Sequence, residues 1–465
     1  MKKWWIALIC LLPSEILPAQ EIPARIAKAY KIFENDPQLK NAISSLYIIE
    51  AGTGKVIFDK NSRTGLAPAS TQKVITSITA LDMLGKDYRY ATGFYYDGTI
   101  SNGVLDGSLY IKGSGDPAFG SWRYGSSLPE SIDRRLLQQL QQAGIRRHRG
   151  SLVAVTGTGE TGKMPDGWIW QDIGNYYGAA PAAVNWNENQ YDLHMRPGKK
   201  EGDSVALVRT EPVIPFSIIN ELSSGPKSSG DNAYLYFVPG SQSLYVKGTV
   251  PCCVETFKIS GAVPDGNRFA LEHFAAVLKQ GGVPGENGHP SLQVQEALPE
   301  KAVLLFTHQS PSLDSIIYWF NKKSINLYGE ALIKTIAASR DKMATTRNGA
   351  EAVKAFWKEK GLDAGELNIY DGSGLSPQNR VTTHAQVAAL QYARRQSWYP
   401  SFYDALPEYN GMKMKSGTIN DVKGFCGYHR SKAGKEYIFS FLVNNYDGRA
   451  SSLVSKMYKV LDELK

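Results

Sequence analysis

The sequence predicts an α+β fold: one antiparallel sheet assembled from both ends of the chain, helices packed on it, and a long, mainly β insertion between. Three observations carry this. Near the start, residues 45–50 and 55–59 alternate as strands around the turn Ala51-Gly52-Thr53-Gly54, which reads as a hairpin. Near the end, residues 415–420, 424–429 and 437–443 are strand-like. Between about residue 90 and residue 295 the texture changes to short alternating strands separated by turn residues.

The elements follow in order. Residues 23–34 form an amphipathic helix with Pro23 in its first turn. After the hairpin, Gly65 and Pro68 mark a loop, and from Ser70 the apolar residues Val74, Ile78, Leu81 and Leu84 recur at helical spacing. Strands are expected at 108–112, 151–155, 234–238 and 243–247, with helices at 132–143 and 269–280. Helices return at 312–323, 328–339, 350–360 and 384–394, and the last runs over 453–464. A chain of 465 residues exceeds one core, so several domains are expected. The division is 20–90 with 296–465 as the helix-and-sheet domain, 91–186 with 251–295 as the insertion, and 187–250 as a β domain nested within it.

Residues 1–19 read as an export signal. Lys2 and Lys3 supply the charge, residues 4–12 a short apolar run, and Leu17-Pro18-Ala19 a cleavage site before Gln20. No later stretch has the length and hydropathy to span a bilayer, so no membrane anchor is expected after cleavage. Without that leader, Cys252, Cys253 and Cys426 remain. An odd number argues against a disulfide framework and leaves two arrangements: one bond from the neighbouring pair to Cys426, or buried thiols. The net charge of +8 suits an anionic partner such as an acidic wall polymer. The basic residues are scattered and not interleaved with aromatics, which argues against nucleic acid.

Three short motifs carry the chemistry. Ser70 and Lys73 are three apart and share one face of a helical turn. A serine hydroxyl needs a neighbouring base, and a desolvated lysine can lose its proton and serve. Ser-x-x-Lys also occurs at Ser224/Lys227 and Ser339/Lys342, and about two chance matches are expected at ordinary composition. Gly225 and Pro226 break the first of these, and the second reads as a solvated helix end, so only Ser70 opens an apolar helix. The second motif, Ser324-Ile325-Asn326, falls in a tight loop between two helices, where it can present a hydroxyl and a carboxamide. The third, Lys415-Ser416-Gly417-Thr418, lies on a strand and is the one Lys-Ser/Thr-Gly in the chain. There Gly417 lets a ligand approach the backbone.

The ordered set Ser-x-x-Lys, Ser-x-Asn, Lys-Ser/Thr-Gly is that of penicillin-binding proteins and class A β-lactamases. With the long gap from Lys73 to Ser324, the chain resembles the class C low-molecular-mass penicillin-binding proteins. These are D-alanyl-D-alanine carboxypeptidases and endopeptidases with a serine β-lactamase/transpeptidase-like domain. Three further stretches fit the resemblance: residues 113–117, residues 177–189 and Asp371-Gly372-Ser373-Gly374-Leu375-Ser376. It implies that Ser70 is acylated by a D-Ala-D-Ala peptide and that Lys73 takes its proton. Ser324, polarised by Lys415, relays a proton to the leaving amine, and Asn326 holds the acyl-chain amide and orients Lys73. Backbone N–H groups of Ser70 and Thr418 form the oxyanion hole, and Ser416 and Thr418 bind the terminal carboxylate. It also implies no metal or other cofactor, peptidoglycan stem peptides as substrate, β-lactam antibiotics as inhibitors, and a periplasmic or wall-associated location. Residues 371–376 are expected to support the cleft and not to react.

Two departures are expected to alter the side-chain pocket. Similar proteins commonly carry Arg where Pro377 stands and Asp after the Val-rich strand, where Thr156 follows Val155. In relatives these charges belong to a diaminopimelate pocket. Two rivals share the motifs: a β-lactamase or esterase, which would need an added base to speed deacylation, and a wall-binding protein without activity.

Overall fold

The computed structural model describes residues 21–157, 164–239, 241–286 and 288–465. The leader expected at residues 1–19 lies outside the described residues. Among these residues, no helix is long and apolar enough to cross a membrane.

The central sheet has six antiparallel strands in the order Glu408–Tyr409, Met412–Ile419, Val422–Arg430, Glu436–Asn444, Ile43–Glu50 and Val56–Lys60. Both chain ends therefore meet in one sheet, joined where Leu46 faces Phe441 and Ile48 faces Phe439. The strand Glu436–Asn444 is buried over seven consecutive residues, because helices cover both of its faces. On one face lie the helices Ile22–Glu34 and Ala450–Leu461, which bury Ile26, Tyr30, Phe33, Leu453 and Met457 against Phe439, Phe441 and Val443. On the other lie Lys73–Leu84, Leu313–Lys322, Asn326–Ala338, Thr346–Glu359 and Thr383–Ala393. The helix Lys73–Leu84 is enclosed by its neighbours, with Val74, Ile78 and Leu81 at or near zero exposure.

The intervening segment holds a five-stranded mixed sheet in the order Leu292–Gln295, Leu152–Val155, Leu109–Lys112, Ala91–Tyr96, Val303–Gln309. Helices Pro129–Gln142 and Gly266–Gln280 pack on it, with Phe94 and Phe306 stacked 4.5 Å apart at the centre. Two three-stranded sheets follow. One pairs Gln190–Arg196 with Ala206–Glu211 and with Phe257–Ala262. The other pairs Ser243–Pro251 in parallel with Ser217–Gly225 and antiparallel with Asn232–Phe237.

These pairings differ from the expected boundaries at two places. Val303–Gln309 lies beyond residue 295 but pairs with Ala91–Tyr96. Phe257–Ala262 lies beyond residue 250 but pairs with Gln190–Arg196. Strand partners are chosen by backbone hydrogen bonding across long loops, which local composition does not encode. The parallel pairings were likewise not legible from alternation alone.

All three cysteines of the described residues are free. The sulfurs of Cys252 and Cys253 are 2.9 Å apart at the end of an insertion strand, while Cys426 is buried opposite Lys415 in the central sheet.

Phe441 joins the central sheet to the N-terminal helix, with its ring 5.0 Å from Phe33 and 6.0 Å from Tyr30. Phe441→Ala is expected to cost about 3–5 kcal/mol, read as a lowered midpoint in urea unfolding with unchanged slope.

Candidate active site

The three motifs meet at one cleft of about 680 Å³, whose walls include Ser70, Ser324, Asn326 and Thr418. Each is held there by a specific backbone device. Ser70 was expected to open an α-helix. Instead, Ala69–Gln72 forms a 3₁₀ turn, and the α-helix starts at Lys73. In a 3₁₀ turn, side chains at i and i+3 eclipse, which sets the Ser70 hydroxyl directly over the Lys73 amine. The turn is clamped between two glycines. A Cβ on Gly374 would lie 2.0 Å from the Ala69 carbonyl oxygen, and one on Gly417 would lie 2.6 Å from the Pro68 carbonyl oxygen and 2.9 Å from the Ser70 nitrogen. Ala69 sits at φ 47° and Ser324 at φ 58°, left-handed values that non-glycine residues hold only where the surroundings impose them. Ser324 lies between the helices Leu313–Lys322 and Asn326–Ala338, as the loop reading expected.

Lys73 is fully buried, and its Nζ has three near oxygens: Ser70 Oγ at 2.9 Å, Asn326 Oδ1 at 2.6 Å and the Ser373 carbonyl at 2.7 Å. Burial pushes its pKa well below the ordinary lysine value, and the nearby Lys415 cation pushes it further the same way. A neutral amine has two N–H donors and one lone pair. The two carbonyl oxygens consume the donors, so the lone pair is left facing the Ser70 hydroxyl. Asn326 is fixed in this orientation because its own Nδ2 donates to the Tyr177 carbonyl at 2.8 Å. The Asn326 amide, expected to hold substrate, thus already has one N–H engaged by the insertion.

Lys415 is also buried, on the strand Met412–Ile419, with Nζ 3.0 Å from Ser324 Oγ and 2.8 Å from the Ser416 carbonyl. Burial lowers its pKa to about 7. Thr418 lies on the cleft wall, and its Oγ1 accepts a hydrogen bond from Lys423 Nζ at 2.7 Å. Ser416 and Gly417 lie on the same strand, Gly417 against the Ser70 turn.

One neighbour of this group, Glu330, lies outside every motif read from the sequence. Glu330 stands one helical turn after Asn326 and is fully buried, accepting from the Gly372 and Ser373 N–H groups. Burial raises its pKa, and the Asp371 charge adds to that. Asp371 is itself a hub. Its side chain accepts from Gly374 N, Ser376 N, Asn379 Nδ2 and Trp168 Nε1 at 2.6–2.9 Å. Together these acids fold the 371–376 turn so that the Ser373 carbonyl reaches Lys73. The stretch expected to support the cleft therefore contacts Lys73 directly. The i, i+4 spacing of Asn326 and Glu330 was the available signal.

Of the two departures from the pattern of similar proteins, one reaches the cleft. Pro377 lines the cleft, but Thr156 does not; its hydroxyl reaches the Gln295 carbonyl instead. Asp172 and Asp421 are the carboxylates on the cleft walls, and burial raises the pKa of Asp172 to about 6. Asp172 sits on the helix Trp170–Ile173 and belongs to none of the motifs read from the sequence.

The model of the D-Ala-D-Ala carboxypeptidase 3 (S13) family matches residues 27–408. The chain is 26% identical over 412 residues to a D-alanyl-D-alanine carboxypeptidase of Haemophilus influenzae, covering 84% of this chain and 83% of that one. It is 25% identical to a D-alanyl-D-alanine carboxypeptidase of Actinomadura, covering 89% and 80%. The crystal structure of penicillin binding protein 4 from Haemophilus influenzae superposes with a TM-score of 0.79 at 22% identity, covering 94% of this chain and 98% of that one. Its complex with a β-lactam superposes at 0.73, also at 22% identity, covering 94% and 97%. The fold is thus shared with these structures, and the α+β expectation holds.

Gly417 touches backbone atoms, which cannot rotate away as side chains do. Gly417→Ala is expected to cost about 1–3 kcal/mol through overpacking, measured by urea unfolding against Gly52→Ala as an open-space control.

Proposed function

The chain belongs to the D-Ala-D-Ala carboxypeptidase 3 (S13) family, and from that premise we propose that Ser70, Lys73, Ser324, Asn326 and Lys415 are its catalytic residues. Ser416, Gly417 and Thr418 bind the end of the substrate. The reaction is serine-type hydrolysis of the D-Ala-D-Ala bond of peptidoglycan stem peptides, as a carboxypeptidase, an endopeptidase or both. The observation that carries the assignment is the Lys73 amine, buried, depressed in pKa, and 2.9 Å from Ser70 Oγ.

The geometry supports this order of steps. Ser70 Oγ attacks the carbonyl carbon of the penultimate D-Ala as its proton passes to the Lys73 lone pair. The oxyanion is held by the backbone N–H groups of Ser70 and Thr418, each worth about 3 kcal/mol of barrier. As the C–N bond breaks, the leaving amine takes a proton through Ser324 Oγ, which Lys415 polarises from 3.0 Å. The terminal carboxylate lies against Ser416 and Thr418, with the Lys423 cation behind Thr418 Oγ1. Water then attacks the acyl ester and frees Ser70. A β-lactam presents a comparable acyl group and carboxylate, so penicillins acylate the same serine. Residues 1–19 direct export, and the mature enzyme works in the periplasm or at the wall.

Fluorescent penicillin is expected to label the wild-type protein and not Ser70→Ala, and Lys73→Ala is expected to slow labelling by about 10²–10⁴-fold. Labelling of Ser70→Ala, or failure of the wild type to cleave D-Ala-D-Ala peptides, would overturn the assignment. The reactive form has neutral Lys73, so acylation rises with pH as Lys73 loses its proton. Because burial lowers that pKa, the rise is expected to be complete well below the ordinary value of 10.5. Stopped-flow acylation across pH checks this; a rise centred near 10.5 would contradict it.

A further inference from the structure

The segment Asn187–Asn189 holds three consecutive non-glycine residues in the left-handed region, at φ 49°, 52° and 52°. Asparagine tolerates that region better than most residues, glutamate does not, and a run of three persists only where the surroundings over-determine it. What the strained turn delivers is the Glu188 carboxylate. It is wholly buried, and it accepts from Ser121 Oγ at 2.8 Å, Tyr328 Oη at 2.8 Å, and Arg123 Nε and Nη2 at 2.8 and 3.3 Å.

Arg123 lines the catalytic cleft. Glu188 grips one edge of its guanidinium, and the indoles of Trp122 and Trp319 lie 5.0 and 5.5 Å from its carbon. A guanidinium has five N–H donors in a rigid plane. The edge contact with Glu188 uses Nε and one side of Nη2, so Nη1 and the rest of Nη2 form a second fork. That fork has no hydrogen-bond partner among the described residues. A planar, pre-oriented pair of donors with aromatic walls matches a carboxylate in two-point contact. Lys323 adds a second cation to the cleft, while Asp172 and Asp421 are the carboxylates that line it.

We propose that Arg123 is a carboxylate-binding subsite of the cleft, taking a free stem-peptide carboxylate other than the terminal one, and that Glu188 is the positioning residue that aims it. The subsite rests on the stem-peptide reading above. No bond is made or broken there; it selects substrate.

The test uses matched peptides ending in D-Ala-D-Ala that differ only in glutamate against glutamine at one of the three preceding residues. For one position the wild type is expected to favour glutamate by about 10–100-fold in kcat/KM, the range of a charge-assisted hydrogen bond. Arg123→Gln is expected to remove that preference, mainly by raising KM for the glutamate peptide, with Arg123→Lys restoring part of it. Glu188→Gln is expected to weaken the same preference. Equal treatment of glutamate and glutamine by the wild type at all three positions would overturn the subsite. So would an Arg123→Gln variant that slows both peptides alike, since that marks a structural role. Fluorescent penicillin separates the two readings. Labelling and cleavage without discrimination sink the subsite alone, whereas a wild type that neither labels nor cleaves sinks the hydrolase reading and the subsite with it.

Discussion

Everything in the active cleft depends on keeping one lysine amine dry. Lys73 has no solvent exposure, and its neighbours are oxygen acceptors, the Phe320 ring 5.6 Å away and, further off, the like-charged Lys415. Burial penalises the ammonium form, and Lys415 penalises it again. Asp371 and Glu330 pull the other way. The balance explains why Glu330 is placed behind the 372–373 backbone and not beside the amine. There it holds the Ser373 carbonyl in place through N–H groups, without offering Lys73 a direct ion pair.

Backbone strain and glycine contacts turn this electrostatic requirement into geometry. The Ser70 turn fits because Gly374 and Gly417 have no side chains where it passes. Ala69 and Ser324 hold left-handed conformations that their own preferences oppose. Their cost is met by packing elsewhere, in helices and strands buried on both faces of the sheet. Such a site can be rigid before substrate arrives, which is what electrostatic stabilisation of a transition state needs.

The insertion takes part in the site as well as standing beside it. The Tyr177 carbonyl orients Asn326, Trp168 reaches Asp371, and Glu188 binds Tyr328 on the helix that Asn326 begins. Two of these hydrogen bonds thus link the inserted segment to groups around Lys73, and the third links it to the helix that carries Asn326. The family membership accounts for the chemistry; these contacts are how this chain's insertion is tied to it.

The sequence by itself determined the α+β class, the joining of both chain ends in one sheet, and the motifs that converge on the cleft. Those are encoded locally, in strand alternation, helical spacing and short ordered motifs, and they survive being read in one dimension. Only the tertiary structure decided the 3₁₀ turn at Ser70, the role of Glu330 and Asp371 behind Lys73, the place of Asp172 on the cleft wall, and the reach of the insertion's sheet to Gln309. Each of those depends on which distant backbone lies alongside. A buried carboxylate, a clamping glycine or a paired strand acquires its meaning from a partner far off in the sequence, and no local pattern specifies that partner.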